Sequence, residues 1–221
     1  MFLWKSFLLK LKFLVHGGRV EETEKRLPYV IFSDSKRYWN VFKPICDEFE
    51  KRGVQLEYLT ASPDDPALMA EYQHVNCRFI GENNKAFAKL NMLDAGILLS
   101  TTPGLDVYQW KRSANVDWYV HIFHAVDEGT GYRMFGMDYY DAVLLTGAFQ
   151  EKYIRKLEEL RNLPAKELVV AGSTYMDALK EKLDAKTGVK EGKTVLLAPS
   201  WGESSILTKY GADILHALVA T

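Results

Sequence analysis

The sequence predicts a doubly wound, Rossmann-like α/β fold built on a parallel sheet. Three observations predict it. From residue 28 onward, short apolar runs alternate with stripes of helical spacing. The runs lack the polar alternation of a half-wet strand, as strands buried on both faces do. Serine, threonine, aspartate and glycine then collect directly after the runs, where strands turn into helices.

Residues 29–32 (Tyr-Val-Ile-Phe) open the sheet and end in Ser33, Asp34 and Ser35, a turn and N-cap group. Residues 38–52 place Phe42, Ile45, Cys46 and Phe49 at helical spacing, and Gly53 suits the C-terminal cap. A strand over 55–59, a break over 63–66 and a short helix over 67–72 follow. Next come a strand over 77–80 and a helix over 85–93. Residues 96–100 form another buried strand, ended by Thr101, Thr102, Pro103 and Gly104. Residues 119–123 and 142–145 read as strands. The stripe Tyr153, Ile154, Leu157 and Leu160 makes 150–161 a helix, supported by the i,i+4 pair of Glu151 and Arg155. Residues 168–171 return to the sheet and 175–183 leave it as a helix.

Residues 184–193 are polar and glycine-containing, which predicts a linker. A strand over 194–198, a loop over 199–204 and a helix over 213–219 complete the chain. The domain reading is therefore one Rossmann-like domain over 28–183 and the first strand and helix of a second over 194–221.

Composition sets the limits of function. The 221 residues carry 28 basic and 29 acidic side chains, and 48% are hydrophobic, enough for a packed core. That excludes a disordered chain and a disulfide scaffold, and the absence of a basic excess argues against a nucleic-acid binder. Cys46 and Cys77 form no CxxC pair and no metal-ligand spacing with histidine, so neither metal nor cofactor is predicted. Two dispersed thiols fit a cytoplasmic protein.

The first 20 residues stand apart, with Lys5, Lys10, Lys12 and Arg19 and no acid. Leu3, Phe7, Leu11 and Leu14 share one stripe of an amphipathic helix over 1–18, ended by Gly17 and Gly18. Residues 1–16 suit an anionic membrane surface, with Trp4 and the phenylalanines in the headgroup zone. The same stripe also suits a first helix packed on its own domain, its lysines reaching out to water.

In doubly wound sheets ligands bind beyond the carboxyl ends of the strands. The residues there are Asp34 and Ser35, Thr101 and Thr102, His124, Gly147, Ser173 and Thr174, and Ser200, Trp201 and Gly202. Hydroxyls and backbone amides at helix starts suit phosphates, although each such turn is equally a plain N-cap. No dinucleotide fingerprint and no phosphate-binding P-loop motif is present. His124 is the sharpest candidate. It follows an apolar strand, precedes the loop Asp127-Glu-Gly-Thr-Gly131, and points opposite to His121 by strand alternation. A neutral imidazole there takes a proton from a hydroxyl, with Asp127, Glu128, Asp138 or Asp141 as candidate partners. The bland alternative is a histidine that holds the loop. His16, His74 and His216 read as structural or surface residues.

Several stretches resemble the CDP-glycerol glycerophosphotransferase family, the bacterial enzymes that prime and extend poly(glycerol phosphate) teichoic acids. These are His121-Ile-Phe-His124, Phe135-Gly-Met-Asp138-Tyr-Tyr-Asp141, Leu144-Leu-Thr-Gly147, Val170-Ala-Gly-Ser173, and Leu196-Leu-Ala-Pro-Ser-Trp-Gly202 with Ser205-Ile-Leu207 behind it. The resemblance runs from about residue 28 to the C-terminus. It implies a GT-B-like architecture, of which this chain holds the acceptor-side domain and only the start of the second. It also implies that His124 is the base that deprotonates an acceptor hydroxyl. CDP-glycerol is then the donor, a membrane-linked polyol or glycan the acceptor, and the inner face of the cell membrane the location. A chain lacking the second domain is expected not to turn over CDP-glycerol alone. Two other readings stand beside it. One is a nucleotide-sugar glycosyltransferase or sugar-nucleotide epimerase of the same architecture; the other is a non-catalytic module that binds membrane or partner.

Overall fold

The computed structural model describes residues 26–127, 129, 131–186, 192, 196–200, 202–211 and 213–219. The predicted helix over 1–18 lies outside them. The chain divides into two compact units, the first ending at Asp184 and the second beginning at Ala185.

The first unit is an α/β layer structure around seven strands. They are β1 (Leu27–Ser33), β2 (Leu56–Thr60), β3 (Val75–Phe79), β4 (Ala95–Ser100), β5 (Val116–Ile122), β6 (Ala142–Leu145) and β7 (Glu167–Val170). Every neighbouring pair runs parallel, in the order β3-β2-β1-β4-β5-β6-β7. The helices are α1 (Trp39–Lys51), α2 (Asn84–Leu90), α3 (Glu151–Arg161) and α4 (Thr174–Asp184).

Strand alternation divides the core in two. Ile31, Tyr58, Ile97, Leu99, Val120 and Leu144 face one side, where α1 supplies Phe42, Ile45 and Phe49. Val30, Phe32, Leu59, Leu98 and Tyr119 face the other, against Ala86 and Leu90 of α2 and the buried Trp110. Both faces are therefore dry, which is why the strands read as continuous apolar runs. Gly96 fits the middle of β4 because a Cβ there would lie 2.8 Å from the Pro28 carbonyl oxygen. Gly53, at φ +64, ends α1 in the left-handed conformation that favours glycine.

Two predicted elements differ. The helix expected over 67–72 is a single 3-10 turn, Pro66–Met69. The Asp65 side chain caps it, and Ala70 is already extended, so the turn cannot propagate. The strand expected over 194–198 is not formed by residues 196–198; Leu196 is 85% exposed, without the burial a sheet strand brings. Thr194 and Val195 lie outside the described residues. The described residues of the second unit instead form two short helices, α5 (Ile206–Tyr210) and α6 (Asp213–Val219). The Ser205 hydroxyl caps α5 by accepting from the Leu207 amide.

Candidate functional site

The sheet order reverses direction between β1 and β4, which makes their carboxyl ends the switch-point crevice of the fold. Register brings a third strand level with them. Phe32 pairs with Ser100, and Ser100 pairs with His121. The residues that follow, Asp34, Thr101 with Thr102, and His124, therefore meet at one edge.

His124 sits just past the end of β5, half-buried between two tyrosines. The Tyr38 ring lies 4.8 Å from it and the Tyr132 ring 6.4 Å. Its Nδ1 is 3.0 Å from the Thr101 hydroxyl. Burial lowers its pKa, and the negative charges of Asp127 and Asp34 oppose that shift. The imidazole is thus neutral at neutral pH, fixed through Nδ1, with Nε2 as its second ring nitrogen.

His121, three residues earlier, is wholly buried. Its Nε2 is 3.0 Å from the Tyr132 hydroxyl, and burial pushes its pKa down to about 3. It is no ligand contact.

Asp34 supplies the crevice's carboxylate. Burial raises its pKa; Thr102, Arg37 and His124 draw it down. Its Oδ1 is buried without a hydrogen-bond partner, an uncommon state for a carboxylate oxygen. Ser35 begins the 3-10 turn Lys36–Tyr38 and accepts from Arg37 Nε at 3.1 Å. Arg37 is exposed, with its guanidinium 5.4 Å from the Tyr38 ring.

The threonines are supports. Thr101 is 1% exposed and Thr102 is 6% exposed. Besides holding His124, this turn gives its Thr102 carbonyl to the buried Tyr140 hydroxyl at 2.5 Å. Gly147 precedes the 3-10 turn Ala148–Gln150. Gln150 of that turn donates to the Asp127 carbonyl at 2.5 Å and accepts from the Thr146 amide at 2.7 Å, tying the end of β6 to the loop after His124.

Other predicted residues have the following surroundings. Thr174 is buried, its hydroxyl given to the Val41 carbonyl at 2.7 Å, which pins the start of α4 to α1. Ser173 accepts from the Met176 amide. Ser200 and Gly202 are exposed residues of the second unit, and Trp201 is outside the described residues. Of the candidate acids, Asp138 pairs with Arg161, and Asp141 pairs with Arg112 while accepting from the Tyr119 amide. Neither is free to orient His124; the Thr101 hydroxyl does that. Glu128 lies outside the described residues.

Sequence pattern missed Tyr38, Tyr132, Arg37 and Gln150. Only proximity to a strand end marks them in the sequence, and aromatic residues are frequent throughout this chain. A cavity of about 270 Å³ opens behind Tyr132, between the loop containing Gly129 and α3. Arg133, Lys156 and Arg161 line it with Met137 and Tyr153. Among the described residues, no group of three His, Cys, Asp or Glu side chains could hold a metal ion. Among the same residues, no helix is long and apolar enough to cross a membrane. Compared with models of known protein families, with curated proteins and with solved structures, the chain matches none.

Proposed function

We propose that this chain is the acceptor-side part of a glycerophosphotransferase that moves glycerol phosphate from CDP-glycerol to a membrane-linked hydroxyl acceptor. The observation that carries the proposal is the neutral, ring-fixed His124 at the switch-point crevice, with Asp34 beside it. His124 Nε2 takes the proton of the acceptor hydroxyl. The acceptor oxygen forms a bond to the β-phosphorus of CDP-glycerol, the bond from that phosphorus to CMP breaks, and CMP leaves. Asp34 and Asp127 stabilise the imidazolium formed on the way.

Little covalent work falls to the protein in such a transfer, so positioning and charge carry it. Arg37 at the crevice mouth offers a cation to the phosphates. The cavity behind Tyr132, where Arg161 is paired with Asp138 and Arg133 lies beside them, suits a phosphate and an apolar stem of the acceptor. The basic first 16 residues fit the anionic cytoplasmic face of a membrane, where such an acceptor is held.

Calorimetry of the chain against poly(glycerol phosphate) fragments, CDP-glycerol and UDP-sugars tests this reading. Binding of glycerol phosphate chemistry, weakened at least about tenfold by His124→Ala, supports it. Preference for a UDP-sugar moves the site to glycosyl transfer or epimerisation. Heat from none of them leaves a non-catalytic binding module.

A further inference from the structure

The cavity behind Tyr132 combines three cations with an apolar lining, and the three cations are not alike. Arg161 is paired with Asp138, and its guanidinium lies 4.9 Å from the Phe135 ring. Lys156 is paired with Glu159 at 2.7 Å. Arg133 lines the same cavity, is exposed and, among the described residues, meets no carboxylate. Arg161 therefore belongs to the wall and Lys156 shares its charge, while the Arg133 guanidinium is left for a ligand.

The turn that carries Arg133 is closely held. Phe135 stands at φ +66, a left-handed backbone that a bulky residue rarely adopts. Its neighbours fix it there. The Gly136 amide donates to the Arg133 carbonyl at 2.9 Å, and the Gly104 amide donates to the Gly136 carbonyl at 2.7 Å. A Cβ on Gly136 would lie 2.9 Å from the Arg133 oxygen, so the turn closes only on glycine. Backbone strain of this kind gathers at ligand sites. Here it keeps Phe135 exposed against Arg161 at the edge of the cavity.

We propose that this cavity binds the headgroup of an anionic lipid, a phosphate diester with one negative charge and alkyl chains attached. The planar fork of Arg133 suits the two free oxygens of a diester. A doubly charged monoester would face the Asp138 carboxylate with only one unpaired guanidinium to meet it, so the single charge is favoured. A volume of about 270 Å³ holds a headgroup and not two tails. The tails leave over Met134, Phe135 and Leu160, all exposed, which gain from apolar cover. Leu160 lies one helical turn beyond Lys156 and Leu157, both of which line the cavity. The proposal deepens the reading of the cavity as the place of the acceptor's phosphate, and rests on it for the ligand's part in transfer. It also gives the folded domain a lipid contact of its own, separate from the basic first 16 residues.

The test follows the methionine methyl signals of the full chain, labelled with carbon-13, during titration with three soluble probes below their micelle concentrations. Dihexanoylphosphatidylglycerol has the charge and the tails, glycerophosphoglycerol the same diester without tails, and dihexanoylphosphatidylcholine the tails without net charge. The first should shift Met134 and Met137, which line the cavity, saturably and at least about tenfold more tightly than either of the others. Met69, Met92 and Met176 should stay in place, and Met1 reports separately on the basic first residues. Arg133→Gln, a change at an exposed side chain, should remove the preference for phosphatidylglycerol over phosphatidylcholine. Equal binding of phosphatidylcholine overturns the anion part, and equal binding of glycerophosphoglycerol overturns the lipid part. Shifts confined to Met1, no shift at all, or an unaltered preference in Arg133→Gln overturns the site as a whole. A chain that binds this lipid and ignores CDP-glycerol and glycerol phosphate loses the transfer reading only. A chain that binds those and ignores the lipid loses this site only.

Discussion

Two adjacent strand ends treat a buried aspartate oxygen in opposite ways. After β2, Asp65 is 1% exposed and both of its oxygens are committed. Oδ2 accepts from the Thr60 hydroxyl at 2.6 Å and the Tyr58 hydroxyl at 3.2 Å, and Oδ1 accepts from the Ala67 amide at 3.0 Å. After β1, Asp34 keeps Oδ1 buried with no partner, and burial raises its pKa. The two strands are neighbours in one sheet; Asp34 directly follows Ser33 at the end of β1, and Asp65 lies in the loop beyond Thr60 at the end of β2. Position after a strand therefore does not separate a fold-making acid from a candidate functional one. Hydrogen-bond accounting does, because a satisfied buried acid builds structure and an unsatisfied one burdens it. The uncommitted acid is the one at the switch point.

The largest effect expected from this contrast is at Asp65. Asp65→Ala leaves the Tyr58 hydroxyl and the Ala67 amide without their acceptor inside the core. It should cost about 3 kcal/mol of stability, read from urea unfolding. Ligand binding by the remaining folded protein should be unaltered. A cost below about 0.5 kcal/mol would erase the distinction between the two aspartates, since surface substitutions already reach that scale.

Thr174 gives a smaller test of the same idea at a residue that sequence pattern placed among the ligand contacts. Its hydroxyl is committed to the Val41 carbonyl. Thr174→Val should cost about 1 kcal/mol, the ordinary net worth of one buried hydrogen bond. Glycerol phosphate binding should not change. A loss of binding without a loss of stability would return Thr174 to the site.

The sheet was legible because dry parallel strands leave continuous apolar runs, as at residues 96–100, and because Phe42, Ile45 and Phe49 repeat with the helix. The boundaries blurred where a single side chain decides the outcome. Nothing in the spacing over 67–72 announces that Asp65 caps one 3-10 turn and stops there. At the site, the strand-end rule found Asp34, Thr101, Thr102 and His124, which do converge. It could not tell contact from support, since both use hydroxyls at turns. Thr101 differs from an ordinary N-cap only through a bond to a histidine 23 residues away. Two of the four acids nominated for His124 failed for a related reason. Asp138 and Asp141 are near in sequence, yet Arg161 and Arg112, distant in sequence, hold them.

The smallest and sharpest test is the acid left uncommitted. Burial raises the Asp34 pKa in the folded chain, so the protonated form is favoured more there than in the unfolded chain. Such a group contributes stability that is fully present below the unfolded pKa and is lost as pH rises through the folded pKa. At neutral pH the wild-type chain therefore carries the cost of a desolvated carboxylate. Asp34→Asn keeps the shape and removes that charge. It should leave stability at neutral pH equal or higher, by no more than about 1 kcal/mol. The gap between variant and wild type should close as pH falls into the carboxylate range, followed by urea midpoints across that range. The opposite outcome, a variant less stable at neutral pH, would mean that Thr102, Arg37 and His124 outweigh the cost of burying the charge. Asp34 would then resemble Asp65, and the crevice would lose the property that sets it apart.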